Sequence, residues 1–163
     1  MEGLMSDPVI ACFKEEFERF HNLLLKQIEV CPDSLWTEKT GGYVYWQQLF
    51  HAFASIEIYA LPDGQASLQI QYPPEVVMLS QEPERHLDKQ QLKEFAAKMK
   101  ILADAFIDSM SADKLPLEHT VMSKRLKAPK TNQNALIGLI RHACYHLGCC
   151  DAILRQHGIP GVY

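Results

Sequence analysis

The stretch VIACFKEEFERFHNLLLKQI, residues 9–28, decides the fold class. Val9, Phe13, Phe17, Phe20, Leu24 and Ile28 step by three or four, with Lys14, Glu15, Glu18 and Arg19 between them. That spacing lays one apolar stripe along a helix and leaves the opposite side wet. Pro32 disfavours helical geometry at the residue before it, so the helix is expected to end near Cys31. Asp33-Ser34-Leu35-Trp36 reads as a turn, and Gly41-Gly42 as a second break.

The same reading extends outward. A second helix is expected from Tyr43 to Ala60, stopping at Pro62-Asp63-Gly64. Trp46, Leu49, Phe53, Ile56 and Ala60 form its main stripe, and Val44, Ile58 and Tyr59 lie on other sides. A helix apolar nearly all round is a buried one. Residues 61–87 contain Pro73, Pro74 and a strand-like alternation in SLQIQY (67–72). A connection that long carries the chain along the length of a bundle, so helices two and three should run parallel. The third helix spans Asp88 to Met110, where Leu92, Phe95, Met99, Leu102 and Phe106 repeat almost as a heptad; Asp88 is its expected N-cap. Residues 111–131, with Pro116 and Pro129, are expected to be a less regular surface stretch. The fourth helix starts at Thr131 or Asn132 and runs to His157, closed by Gly158 and Pro160. The sum is an all-α four-helix bundle, one domain over residues 1–163.

Composition narrows the function. A net charge of −4 with both signs spread along the chain offers no basic patch for nucleic acid. The opening MEGLMSDPV lacks the basic and apolar regions of a signal peptide, so none is expected. No apolar run reaches the roughly 18 residues of a membrane span. The best one, LFHAFASIEIYA (49–60), is interrupted by His51 and Glu57. Five cysteines is an odd count, and Cys144, Cys149 and Cys150 crowd into one helix, which points to a reducing cytoplasm.

Of seven histidines, His21, His86, His119 and His157 sit beside polar or loop residues and read as solvated or capping side chains. His142 and His146 are four apart on the fourth helix, so their rings lie one above the other and could grip one ion. At about 100° per residue they flank the Leu136/Ile140/Ala143/Leu147/Leu154 stripe, at the edge of the core. His51 lies mid-way along the second helix and projects away from Trp46, Leu49 and Phe53. To reach a site it needs that helix to be contacted on both sides.

The chain resembles the DinB-like (YfiT-like) metal-binding helical bundles. PDSLW (32–36) is similar to the turn after that family's first helix, and LFHAFASIEIY (49–59) to its second, with the first metal histidine at His51. HACYHLG followed by AILRQHG (142–158) is similar to the final HxxxHxG helix. The resemblance implies an up-down-down-up bundle holding one divalent ion, Zn²⁺ or Ni²⁺, on His51, His142 and His146, with water completing the shell. It also implies a small-molecule substrate, with some members resembling thiol-dependent S-transferases. Cys149 stands where the family often has Gln, which departs from the pattern.

Three neutral imidazoles leave an ion its full charge and an open position, where water becomes acidic and a thiol deprotonates. A hydrolase also needs a base, and Glu57 and Asp151 are on the right helices. Cys149 and Cys150, three and four residues after His146, are alternative fourth ligands that would close the shell. Three classes stay open: a metal-dependent S-transferase or hydrolase, a metal-bound bundle without catalysis, and a plain helical dimer whose histidines only pack. A homodimer is the default quaternary expectation.

Overall fold

The structure, a computed structural model, describes residues 7–40, 42–67 and 72–163. The opening hexapeptide, Gly41 and most of the expected alternation at 67–72 lie outside the described residues. Among the described residues the regular elements are helices apart from one small hairpin, as the apolar periodicity leads one to expect.

Helix α1 (Pro8–Val30) starts where Asp7 accepts a hydrogen bond from Val9 N at 3.0 Å, with Pro8 in the first turn. It stops before Pro32. Asp33–Trp36 forms the one-turn helix α2. Lys39–Thr40 (β1) and Tyr43–Val44 (β2) then pair antiparallel. Tyr43 and Val44 therefore belong to a hairpin and not to the second helix, which begins as α3 (Tyr45–Ala54). It is interrupted at Ser55 and resumes as α4 (Ile56–Ala60). The connection carries the short α5 (Pro74–Val77).

Helix α6 (Lys89–Asp108) is capped by Asp88, whose Oδ1 accepts from Gln91 N at 2.7 Å while Gln91 Oε1 accepts from Asp88 N at 3.0 Å. The stretch read as irregular holds a 3-10 turn (Ala112–Lys114) and helix α7 (Thr120–Leu126). Helix α8 (Asn132–Gln156) is capped by Thr131 and ends at Gly158, whose φ of +73° is the left-handed geometry glycine adopts without strain.

Helix α1 packs against both α6 and α8, and α3 and α4 pack against the same two from the other side. Lys14 pairs with Asp108 at 2.7 Å and Lys93 with Glu29 at 3.0 Å, so α1 and α6 run antiparallel. Gln27 meets Asp151 late in both helices, while Phe13 and Ile137 share a groove near both starts, so α1 and α8 run parallel. Phe50 packs on Phe95, and Ala60 lies by Leu102 and Phe106, which sets α3 and α4 parallel to α6. Phe17, Leu24, Ile28, Trp46, Leu49, Phe53, Leu92, Met99, Leu136 and Leu154 fill the space between them. No described helix is long and apolar enough to cross a membrane.

Candidate metal centre

Two elements build the site. Helix α8 presents His142 and His146 one turn apart, their ring centroids 4.6 Å from each other. Helix α3 presents His51, whose ring lies 5.0 Å from that of His142 and 4.7 Å from that of His146. One nitrogen from each of the three falls within 4.8 Å of the others, a group that could hold a metal ion.

The projection of His51 away from the main stripe is accommodated because α3 is buried on every side. Helix α5 covers the flank opposite the core. His51 Nδ1 lies 2.7 Å from Val77 O at the end of α5. A carbonyl oxygen only accepts, so Nδ1 carries the hydrogen and the lone pair is on Nε2. The same contact fixes the ring's orientation, as the partners of metal-binding histidines do.

Burial sets the protonation of all three rings. Removal from water pushes His51 below the ordinary histidine range. It takes His142 down to about 4, helped by repulsion from His51 and Arg141. His146 falls to about 3, with repulsion from His142 and His51 as the further causes. At neutral pH the rings are uncharged, the form that donates a lone pair to a metal.

The polar atoms also fit a cation. His142 Nε2 and His146 Nδ1 are buried and have no hydrogen-bond partner among the described residues. Buried polar atoms without a partner are rare and costly, at roughly 1–3 kcal/mol each. Three neutral imidazoles facing one another satisfy little among themselves, and a shared ion would satisfy all three.

The other residues singled out from sequence go elsewhere. Cys150 is fully buried, its thiol pushed well up by burial, and packs as a small apolar side chain. Cys149 is half-buried, and neither cysteine joins the group of three among the described residues. Asp151 is buried and spends its two oxygens on Gln27 Nε2, Val162 N (2.8 Å) and Tyr163 N (3.1 Å), with Arg155 at 3.4 Å. Glu57 is buried and accepts from Ser67 Oγ at 2.6 Å.

His86 is exposed and His157 bonds Ile153 O within its own helix end. His119 caps α7, accepting from Met122 N at 3.2 Å, but it is buried and its Nε2 meets Tyr59 O at 2.7 Å. His21 corrects the solvated reading outright: it is 2% exposed, packed between Phe17 and Phe53.

Three residues near the centre were given no site role from the sequence. Ser55 and Tyr59 follow His51 at i+4 and i+8, a spacing that places them on its side of the helix. Arg141 directly precedes His142. That periodicity was the available signal.

The site thus defines a class: a helical protein with a largely buried three-imidazole group that could hold a metal ion between two helices. Comparison with protein-family models, with curated proteins and with solved structures finds no match to this chain.

Proposed function

We propose that this chain is a DinB-like metalloprotein: an up-down-down-up four-helix bundle formed by α1, α3 with α4, α6 and α8, joined by a long crossover. It holds one divalent ion, Zn²⁺ or Ni²⁺, on His51, His142 and His146, and acts on a small molecule in the cytoplasm. The convergence of three neutral imidazoles from two helices, two of them buried and His142 half-buried, carries this reading. The helix directions and the five free cysteines agree with it.

Between the two chemistries open to such a site, thiol transfer is favoured over hydrolysis. An ion on three imidazoles would supply Lewis acidity and enough charge to deprotonate a bound thiol. Hydrolysis asks in addition for a base, and the nearest sequence candidates are occupied, Asp151 by the C-terminal tail and Glu57 by Ser67. The chain's own contribution is orientation: Val77 O holds the His51 ring, and α8 holds the other two one turn apart. The substrate is a low-molecular-weight thiol with an electrophilic partner, not nucleic acid. A homodimer joined along α1 and α8, whose outer faces expose Val9, Ile137 and Tyr145, completes the reading.

A thiol-transfer assay tests it. Untagged protein, stripped and reloaded with Zn²⁺ or Ni²⁺, is offered a panel of small thiols and a reactive electrophile. Metal-dependent turnover with at least one thiol is expected. Stoichiometric metal without turnover on any thiol would leave a non-catalytic metal-bound bundle.

A further inference from the structure

The seam between α4 and α8 continues beyond the three histidines. Helices α3 and α4 run antiparallel to α8 here: His51 meets His142 and His146, while Tyr59 lies against Gly138. Ser55, midway between His51 and Tyr59, therefore falls level with Arg141 and His142.

Ser55 carries the feature that points to a ligand, and Tyr59 and Arg141 are its neighbours along the seam. Ser55 is 3% exposed, and its Oγ has no hydrogen-bond partner among the described residues. A buried hydroxyl in that state is normally matched by something it donates to. Gly138 sits in the interior of a helix, where glycine costs about 1 kcal/mol relative to alanine. A Cβ there would stand 2.7 Å from Tyr59 Cδ1, so the glycine exists to seat the Tyr59 ring. That ring lies 6.3 Å from the His142 ring. Arg141 directly precedes His142 on α8 and follows Gly138 by three residues, so it stands on the side of that helix where Tyr59 packs. Arg141 is exposed and makes no ion pair among the described residues. Two hydroxyl donors and one planar cation without an ion pair among the described residues, on one seam beside a metal-binding group, match a carboxylate. A guanidinium takes one through parallel hydrogen bonds, and a single positive charge suits a monoanion.

We infer that Ser55, Tyr59 and Arg141 form a subsite beside the three histidines that takes the carboxylate of a small organic acid, so that the centre acts on an anionic substrate. This rests on the metal-centre reading and extends it to the substrate's other end. Ser55 and Tyr59 donate to the carboxylate oxygens, and Arg141 supplies the charge and fixes the plane of the group. The substrate's reacting atom is thereby held toward the histidines.

The test uses the full chain loaded with Co²⁺, whose visible spectrum reports the ligands around it. The probes are 3-mercaptopropionate and its methyl ester, the same thiol with and without the negative charge. Their binding is followed by the thiolate-to-cobalt band. The acid is expected to bind at least about tenfold more tightly than the ester, the size expected of a charge-assisted hydrogen bond. R141Q should bring the two within about twofold by weakening the acid alone. S55A and Y59F should each weaken the acid by several-fold and leave the ester unchanged. Equal binding of acid and ester to the unaltered chain would overturn the subsite. So would a preference lost in R141Q but untouched by S55A and Y59F, which would be general attraction to a surface charge. Failure to take up Co²⁺ at all, seen as absent visible bands, would overturn the metal reading and the subsite with it.

Discussion

Replacing Asp151 with alanine separates a structural carboxylate from a catalytic one. Asp151 is 5% exposed and lies at the end of a buried chain of hydrogen bonds. Tyr45 Oη donates to Gln27 Oε1 at 2.5 Å, and Gln27 Nε2 donates to Asp151 Oδ1. Val162 N and Tyr163 N donate to the same carboxylate, and Tyr163 in turn stacks on Phe20 at 6.0 Å between ring centroids. Removing the carboxylate leaves the fully buried Gln27 amide without an acceptor, at about 1–3 kcal/mol. The tail amides can turn to water and so lose less, about 0.5–1.5 kcal/mol each, and the tail's packing loosens with them. The total is about 2–6 kcal/mol, or roughly 4–24 °C in Tm for a domain of this size. Urea denaturation at pH 7 measures the loss, and metal content is determined on the same samples. Metal binding should stay stoichiometric, because the three histidines do not touch this network. A loss under about 1 kcal/mol, or metal lost from a still-folded variant, would refute the structural assignment.

Three other perturbations follow from the same geometry. His21 has its pKa pushed down to about 4, chiefly by burial, against about 6.5 when unfolded. The unfolded chain therefore takes up its proton first, so this contribution to stability is complete above pH 6.5 and is lost as pH falls toward 4. About 2 kcal/mol should be gone by pH 5, and His21→Leu should flatten that part of the profile in urea titrations. The metal-free site histidines titrate with the same sign, so a slope remains. Gly138→Ala pushes on the Tyr59 ring, and the strain of about 1–3 kcal/mol should exceed the helix-propensity gain of about 1 kcal/mol. A more stable variant by urea midpoint would contradict that packing. Chelation with EDTA should lower Tm, and restoring Zn²⁺ at about a hundred times its Kd should return about 2.7 kcal/mol, because the ion ties α3 to α8. An unchanged melting curve would show that the metal stabilises nothing.

The long helices were legible because period and caps agreed. The Val9–Ile28 stripe, Asp88 before α6, Thr131 before α8 and Gly158 after it each state a boundary in local chemistry. The hairpin at Lys39–Val44 and helix α7 were not legible, since each is short and held by contacts from elsewhere. His119, for example, joins the start of α7 to Tyr59 O. His51 shows the limit most clearly. Its helical projection faced away from the main stripe, and nothing local said that α5 would fold back to cover that face and hold the ring through Val77 O. His21 was misread from its polar neighbour Asn22, although it follows Phe17 by four residues and so belongs to the buried stripe. The pairing of His142 with His146 needed only helical geometry. Their meeting with His51 depended on tertiary packing, and the spacing of residues alone does not encode that.

Metal content of the untagged protein and of its His51→Ala variant, measured by elemental analysis, tests the three-histidine centre most directly. About one equivalent of a divalent transition metal per chain is expected, falling several-fold or more when His51 is removed from an otherwise folded protein. Less than about a tenth of an equivalent in the unaltered chain, unrestored by added Zn²⁺ or Ni²⁺, would contradict the metal centre. Full occupancy in the His51→Ala variant would contradict the part assigned to His51.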